Sequence, residues 1–205
     1  MFWKACLLPA LLLLSETEAS FRKGSCPAFE TVETFDPARY MGRWYGIIHD
    51  KYNFYELRSG GCNIADYTLN DDGTITVHNQ GVDMMNRPEG VYAAAVQSDL
   101  GRPGELDVEF FSDPNPENPP NYSVVATDYD TYTVVYNCSD KLGGMASYDV
   151  LNILAREKEL SDDQILDIIK IVEERIPGYN FFKNTKVNRQ GFLCPYDKFG
   201  PAPEQ

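Results

Sequence analysis

The chain is short of base. Against 31 aspartates and glutamates it carries 18 lysines and arginines, for a formal net charge of -13. That deficit argues against nucleic acid and against an anionic membrane surface as partners, because clustered cations hold both. Histidine is scarcer still, with only His49 and His78. No Ser-His-Asp or Cys-His set is evident, so no catalytic residue is assigned and the chain is read as a non-enzyme. There is no Cys-x-x-Cys, which removes the usual zinc and redox motifs, and no metal ligand is assigned. Long apolar runs are missing after the first residues, so no transmembrane segment is expected.

The one long apolar run stands at the start. Lys4 precedes ten nearly unbroken apolar residues at 5–14, and 15–20 is small and polar. This is the layout of a secretory signal peptide, too short to span a bilayer core of roughly 30 Å. Thr17 and Ala19 fit the small-residue cleavage rule, so 1–19 reads as signal and the mature protein as secreted and extracellular. A cut after Ala19 leaves 186 of the 205 residues, one ordinary domain with room for a core, at a charge near -12. Cys6 leaves with the signal. Cys26, Cys62, Cys138 and Cys194 remain, which implies two disulfides in one of three pairings and no free thiol.

What is present is a run of strands. The chain is organised around Tyr40-Met41-Gly42-Arg43-Trp44-Tyr45, which opens the first of them at 43–50. Gly42 allows a tight backbone turn before the strand, and Trp44 is a large apolar plug whose indole N–H needs an acceptor when buried. A plain core tryptophan satisfies this stretch taken alone. Further strands read at 62–69, 74–79, 91–97, 106–110, 122–127, 132–138 and 148–156. Asn70-Asp71-Asp72-Gly73 is a hairpin signal, and Ile75 and Val77 alternate with Thr74, Thr76 and His78 as in a half-buried strand. About eight consecutive strands on short connections predict an all-β fold, a closed up-and-down antiparallel barrel or a sandwich. The period then changes. Ser161 and Gln164 form a capping box, Ile165, Ile168, Ile169, Val172 and Ile176 recur at helical spacing, and Pro177-Gly178 ends the helix. That single helix must lay its apolar stripe on the outside of the sheet. A disordered tail is expected at 198–205.

Three short motifs then stand in a recognisable order: Gly42-Arg43-Trp44, Thr127-Asp128-Tyr129, and Arg156 closing Ile153-Leu154-Ala155-Arg156 before the helix. Together they resemble the lipocalin family, and within it the branch of apolipoprotein D and the insect bilin-binding proteins. The resemblance covers the whole mature chain, 20–197. It implies an eight-stranded antiparallel barrel with a helix on its outside. It implies a structural role for Gly42, Trp44, Thr127, Asp128, Tyr129 and Arg156, with the arginine packed across the tryptophan at the closed end. It also implies the disulfides Cys26–Cys138 and Cys62–Cys194.

A barrel of this size holds one small ligand. With Arg156 inward, Leu154 and Asn152 share its face; with Val77 inward, so does Asn79. The resemblance adds Tyr67, and Phe110 and Tyr136 complete an apolar cup with polar handles. The ligand set is therefore Tyr67, Val77, Asn79, Phe110, Tyr136, Asn152 and Leu154. Core filling is the plain alternative for each of them. Asn79 and Asn152 stand out, because a buried amide without a partner costs about 1–3 kcal/mol. Where close family members carry a tryptophan, this chain has Asn152, which makes the cup roomier and more polar. Tyr52, Phe54 and Tyr55 would lid the mouth, with Met84 and Met85 beside a neighbouring loop; such groups suit a flat conjugated ligand, a lipoprotein surface or a second protomer. Asn121 and Asn137 head N-glycosylation sequons, the second crowded by the Cys138 disulfide. The expected function is a secreted carrier of a small hydrophobic ligand (bilin such as biliverdin, retinoid, carotenoid, steroid or fatty acid) with no required cofactor. The rivals are a receptor-binding or protease-inhibiting interaction domain with an empty cup and, further off, a lipocalin enzyme.

Overall fold

The computed structural model describes residues 21–51, 53, 59–99 and 101–203. The expected signal at 1–19 and the lid aromatics Tyr52, Phe54 and Tyr55 lie outside the described residues. Eight antiparallel strands form the barrel: β2 (Gly42–Asp50), β3 (Ser59–Leu69), β4 (Ile75–Asp83), β5 (Pro88–Gln97), β6 (Glu105–Glu109), β7 (Tyr122–Thr127), β8 (Tyr132–Lys141) and β9 (Ala146–Ala155). Each pairs with the next in the chain, and β9 returns to pair with β2. That last pairing closes the sheet, so a barrel forms, not a sandwich. Two short strands lie outside the ring: β1 (Phe21–Lys23) on β9 and β10 (Thr185–Val187) on β2. Neither has enough alternation to show in the sequence.

Trp44 begins the barrel because the chain before it is pinned. Helix α1 (Pro37–Tyr40) is one turn, capped by the Asp36 side chain with Pro37 at its first position. Gly42 then takes φ +89°, a left-handed backbone that only glycine enters cheaply, and the strand leaves at a sharp angle. The period-2 pattern sorts the side chains of every strand into two faces. One face lines the interior. The other, on β8 and β9, carries Val134, Leu151, Ile153 and Ala155 against Ile168, Ile169, Val172 and Ile176, on and just past α2 (Asp162–Arg175). The helix is fixed at its start by the expected capping box, with Ser161 Oγ accepting from Gln164 N and Gln164 Oε1 accepting from Ser161 N.

Both disulfides implied by the resemblance are present. Cys26–Cys138 ties the N-terminal segment to β8, and Cys62–Cys194 ties the C-terminal segment to β3. The C-terminal end is not the loose tail that was expected from 198 onward. Phe199 is buried with Cys62, Ile64, Val82 and Cys194. Gly200 O accepts from Arg43 Nη2 at 2.7 Å, and Gly200 N donates to Gln80 Oε1 at 3.2 Å. A short polar segment with one aromatic reads as disorder until the partner face, Arg43 in a two-pronged pair with Asp66, is known.

Candidate ligand-binding cup

The floor of the barrel is built from the residues around Trp44. The indole is fully buried and donates Nε1–H to Tyr40 O at 2.8 Å. The Arg156 guanidinium lies 3.7 Å over its ring. That guanidinium spends its donors on backbone carbonyls: Nε on Tyr129, Nη1 on Arg43, and Nη2 on Arg39 and Tyr40. It thus ties α1, β2 and the β7–β8 turn into one seal. The turn itself is held by Thr127 Oγ1, which donates to Tyr132 O and accepts from Tyr129 N, and by Asp128 Oδ1, which accepts three backbone N–H groups. Directly above, three tyrosine hydroxyls meet: Tyr40 with Tyr122 at 2.7 Å, and Tyr67 with Tyr122 at 3.1 Å. Burial pushes Tyr40 up to about 12 and raises Tyr67 and Tyr122 as well, so all three stay neutral hydroxyls at ordinary pH.

Strand register assigns the walls. Trp44 faces Ala65, Ala65 faces Asn79, and Tyr67 faces Val77. The inward set continues through Val91, Ala93 and Ala95 to Val108, with Leu106 and Phe110 on the same face. On the other side Leu154 faces Thr133, Asn152 faces Val135, and Val150 faces Asn137. The result is an apolar cup closed below and opening toward the loops after β2, β4, β6 and β8.

A family model described as a lipocalin-like domain matches residues 35–188. The chain belongs to the lipocalin family. Apolipoprotein D of Oryctolagus cuniculus is 36% identical over 165 residues, 78% of this chain and 82% of that protein. Apolipoprotein D of Rattus norvegicus is 38% identical over 62% of this chain and 65% of its own length. Insecticyanin from the tobacco hornworm Manduca sexta has a solved structure that superposes with a TM-score of 0.68, at 19% identity, over 85% of this chain and 90% of that one.

Within this lipocalin cup the structure brings together Tyr67, Val77, Asn79, Phe110, Asn152 and Leu154 on the inner face. Tyr136 is a correction. It is fully buried but on the outer face, opposite Leu151, with its ring edge-on to Phe29 and Tyr179 and its hydroxyl donated to Asp149 Oδ2 at 3.0 Å. The β8 parity is one step from that expected: Thr133, Val135 and Asn137 point in, while Tyr132, Val134 and Tyr136 lie on the helix side. The same step turns Asn137 of the second sequon toward the cup, a poor place for a bulky sugar. Asn121 of the first sequon is exposed, its amide bridging Val108 N and O.

The largest omission from the sequence reading is His49. A bulge between Gly46 and Ile48 puts Ile47 and Ile48 together on the outer face, so His49 faces inward, directly across from Asn152. It is 5% exposed, and burial lowers its pKa from 6.5 to about 4. Its Nδ1 lies 3.0 Å from the Asp50 carbonyl, which can only accept, so that nitrogen carries the proton. The signal was the doubled Ile47-Ile48, two apolar neighbours where strict alternation allows one.

Proposed function

We propose that this lipocalin is a secreted carrier of one small hydrophobic ligand held in the barrel. The observation that carries the reading is the sealed floor beneath an apolar inner face: Trp44, Tyr67, Val77, Val108 and Leu154 share one cluster inside a closed ring of strands. A surface of this kind gives up water readily to an apolar guest, and the few polar groups on it fix orientation. Kinship with apolipoprotein D supports a lipid-sized ligand, and the resemblance to bilin-binding proteins adds a pigment to the candidates. Two disulfides support an oxidising, extracellular setting. Met84 and Met85, 81% and 73% exposed on the β4–β5 hairpin, are where the same reading places contact with a lipoprotein surface or a second protomer.

The test is an absorption spectrum and a mass spectrum of the organic extract of protein taken from its native source. A coloured species at near one per chain makes it a pigment carrier of the bilin or carotenoid kind. A colourless lipid at the same ratio points to a retinoid, steroid or fatty acid. If nothing co-purifies and no apolar probe binds at micromolar concentration, the carrier reading falls and the interaction-domain reading replaces it.

A further inference from the structure

The floor of the cup holds a line of hydroxyl groups. Tyr67 and Tyr122 stand on the inner face, Tyr40 joins them from α1, and Thr133 from β8. Tyr67 Oη lies 3.1 Å from Tyr122 Oη, and Tyr122 Oη lies 2.7 Å from Tyr40 Oη. Tyr40 Oη lies 3.3 Å from Thr133 Oγ1, which donates in turn to the Ala126 carbonyl at 3.4 Å. Tyr40 and Thr133 are fully buried, Tyr67 is 4% exposed, and Tyr122 is the part-buried member of the line. The side chains clustered with them are apolar, Ala65, Val77, Leu106 and Leu154 among them. The hydroxyls are therefore the polar groups that a guest meets at this depth.

Counting protons gives the line a direction. Each hydroxyl has one proton to donate. Burial keeps the three phenols un-ionised at ordinary pH, so none has lost its proton. The Ala126 carbonyl can only accept, so it takes the proton of Thr133. Tyr40 must then donate to Thr133, Tyr122 to Tyr40, and Tyr67 to Tyr122. Four contacts consume four protons, and no other arrangement makes all four. What remains at the cup end is lone pairs: the Tyr67 and Tyr122 oxygens can still accept and have no proton to give. A guest hydroxyl or N–H that reaches the floor finds an acceptor. A guest carbonyl meets oxygen against oxygen, and obtains a proton only if one of the buried contacts is given up.

We infer that the line Tyr67, Tyr122, Tyr40 and Thr133 makes the cup floor an acceptor-only subsite, which selects a guest with a hydroxyl or N–H donor at its deep end over one that ends there in a carbonyl. This rests on the carrier reading and sharpens it from any hydrophobic ligand to one with a donor at its leading end. Thr133 acts through the tyrosines and is a positioning residue.

The test displaces a neutral fluorescent probe, N-phenylnaphthylamine, from the delipidated full-length protein. The competitors are β-ionol and β-ionone, which share one skeleton and differ in a hydroxyl against a keto oxygen. One buried hydrogen bond left unmade is about fivefold in affinity, so β-ionol is expected to compete better by about that factor or more. Thr133→Val removes the far end of the line without touching the guest. The Tyr40 proton then turns to Tyr122, that of Tyr122 to Tyr67, and that of Tyr67 to the cup. β-Ionone should gain affinity, and the ratio should fall to about twofold or less. Thr133→Ser keeps the hydroxyl and should keep the ratio. Equal competition by the two in the unchanged protein, or a better ketone, overturns the inference, and that comparison needs no variant. A ratio that survives in the folded Thr133→Val variant overturns the assignment to this line. Failure of the probe itself to bind would instead remove the carrier reading and this inference with it.

Discussion

At the scale of single residues, the closed end depends on Arg156 more than on any other polar side chain described. It stacks on Trp44 and hydrogen-bonds the carbonyls of four residues drawn from three segments. Arg156→Ala removes the stack and leaves part-buried carbonyls without donors, at an expected cost of about 2–4 kcal/mol in urea unfolding. Arg156→Lys should recover less than half of that loss, because a point ammonium cannot serve a fork of carbonyls. A midpoint unchanged in both variants would contradict the seal. His49 gives a pH signature of opposite character. Its folded pKa, about 4, lies below the ordinary 6.5, so the unfolded chain takes the proton first. Its contribution to stability is therefore complete above pH 6.5 and is lost as the pH falls from there to about 4. After discounting for contact with water at the mouth, the loss is about 2 kcal/mol. Subtracting the curve of His49→Leu from that of the unchanged protein should isolate this limb, and a flat difference would contradict it.

At the scale of elements, the helix covers one outer wall and takes no part in the cup. Ile168→Ala on α2 opens a cavity against the β8–β9 face and should cost about 2–4 kcal/mol, while probe affinity stays within about twofold. A large loss of affinity without unfolding would mean that the helix reaches the ligand. The same element explains what was legible in the sequence. Strong period-2 and period-3.6 patterns gave eight strands and a helix within a few residues of their observed bounds, and the Trp44 and Arg156 motifs placed the closed end. The β8 parity is hard to read because Tyr132 to Tyr136 is apolar or aromatic at four of five positions, so alternation does not say which face is in. Only the outer cluster that takes in Val134 and Tyr136, with α2, Phe29 and Tyr179, breaks the tie. His49 was missed for a related reason: the bulge at Ile47 shifts the parity of the end of β2, and it is set by how β2 meets β9. The tail failed because a packed aromatic such as Phe199 has no period to betray it.

At the scale of the whole molecule, a strongly acidic chain surrounds a mostly apolar cup. The formal charge of -13 repels anions from the mouth, and the repulsion is long-ranged and screened by salt. Neutral and anionic ligands should then part in their salt response. A neutral guest such as oleamide is held by burial and hydrogen bonds, both nearly blind to ionic strength over moderate salt, so its affinity should move by less than about twofold between about 0.05 and 0.5 M sodium chloride. Oleate approaches against the net negative charge, and its affinity should rise across the same range as the repulsion is screened. Titration calorimetry at the two salt concentrations reads both. An oleate affinity that falls with salt would mean that a cation holds the carboxylate, as in an ion pair weakened by screening, and would place that cation at the mouth, where Lys186 stands across from His49.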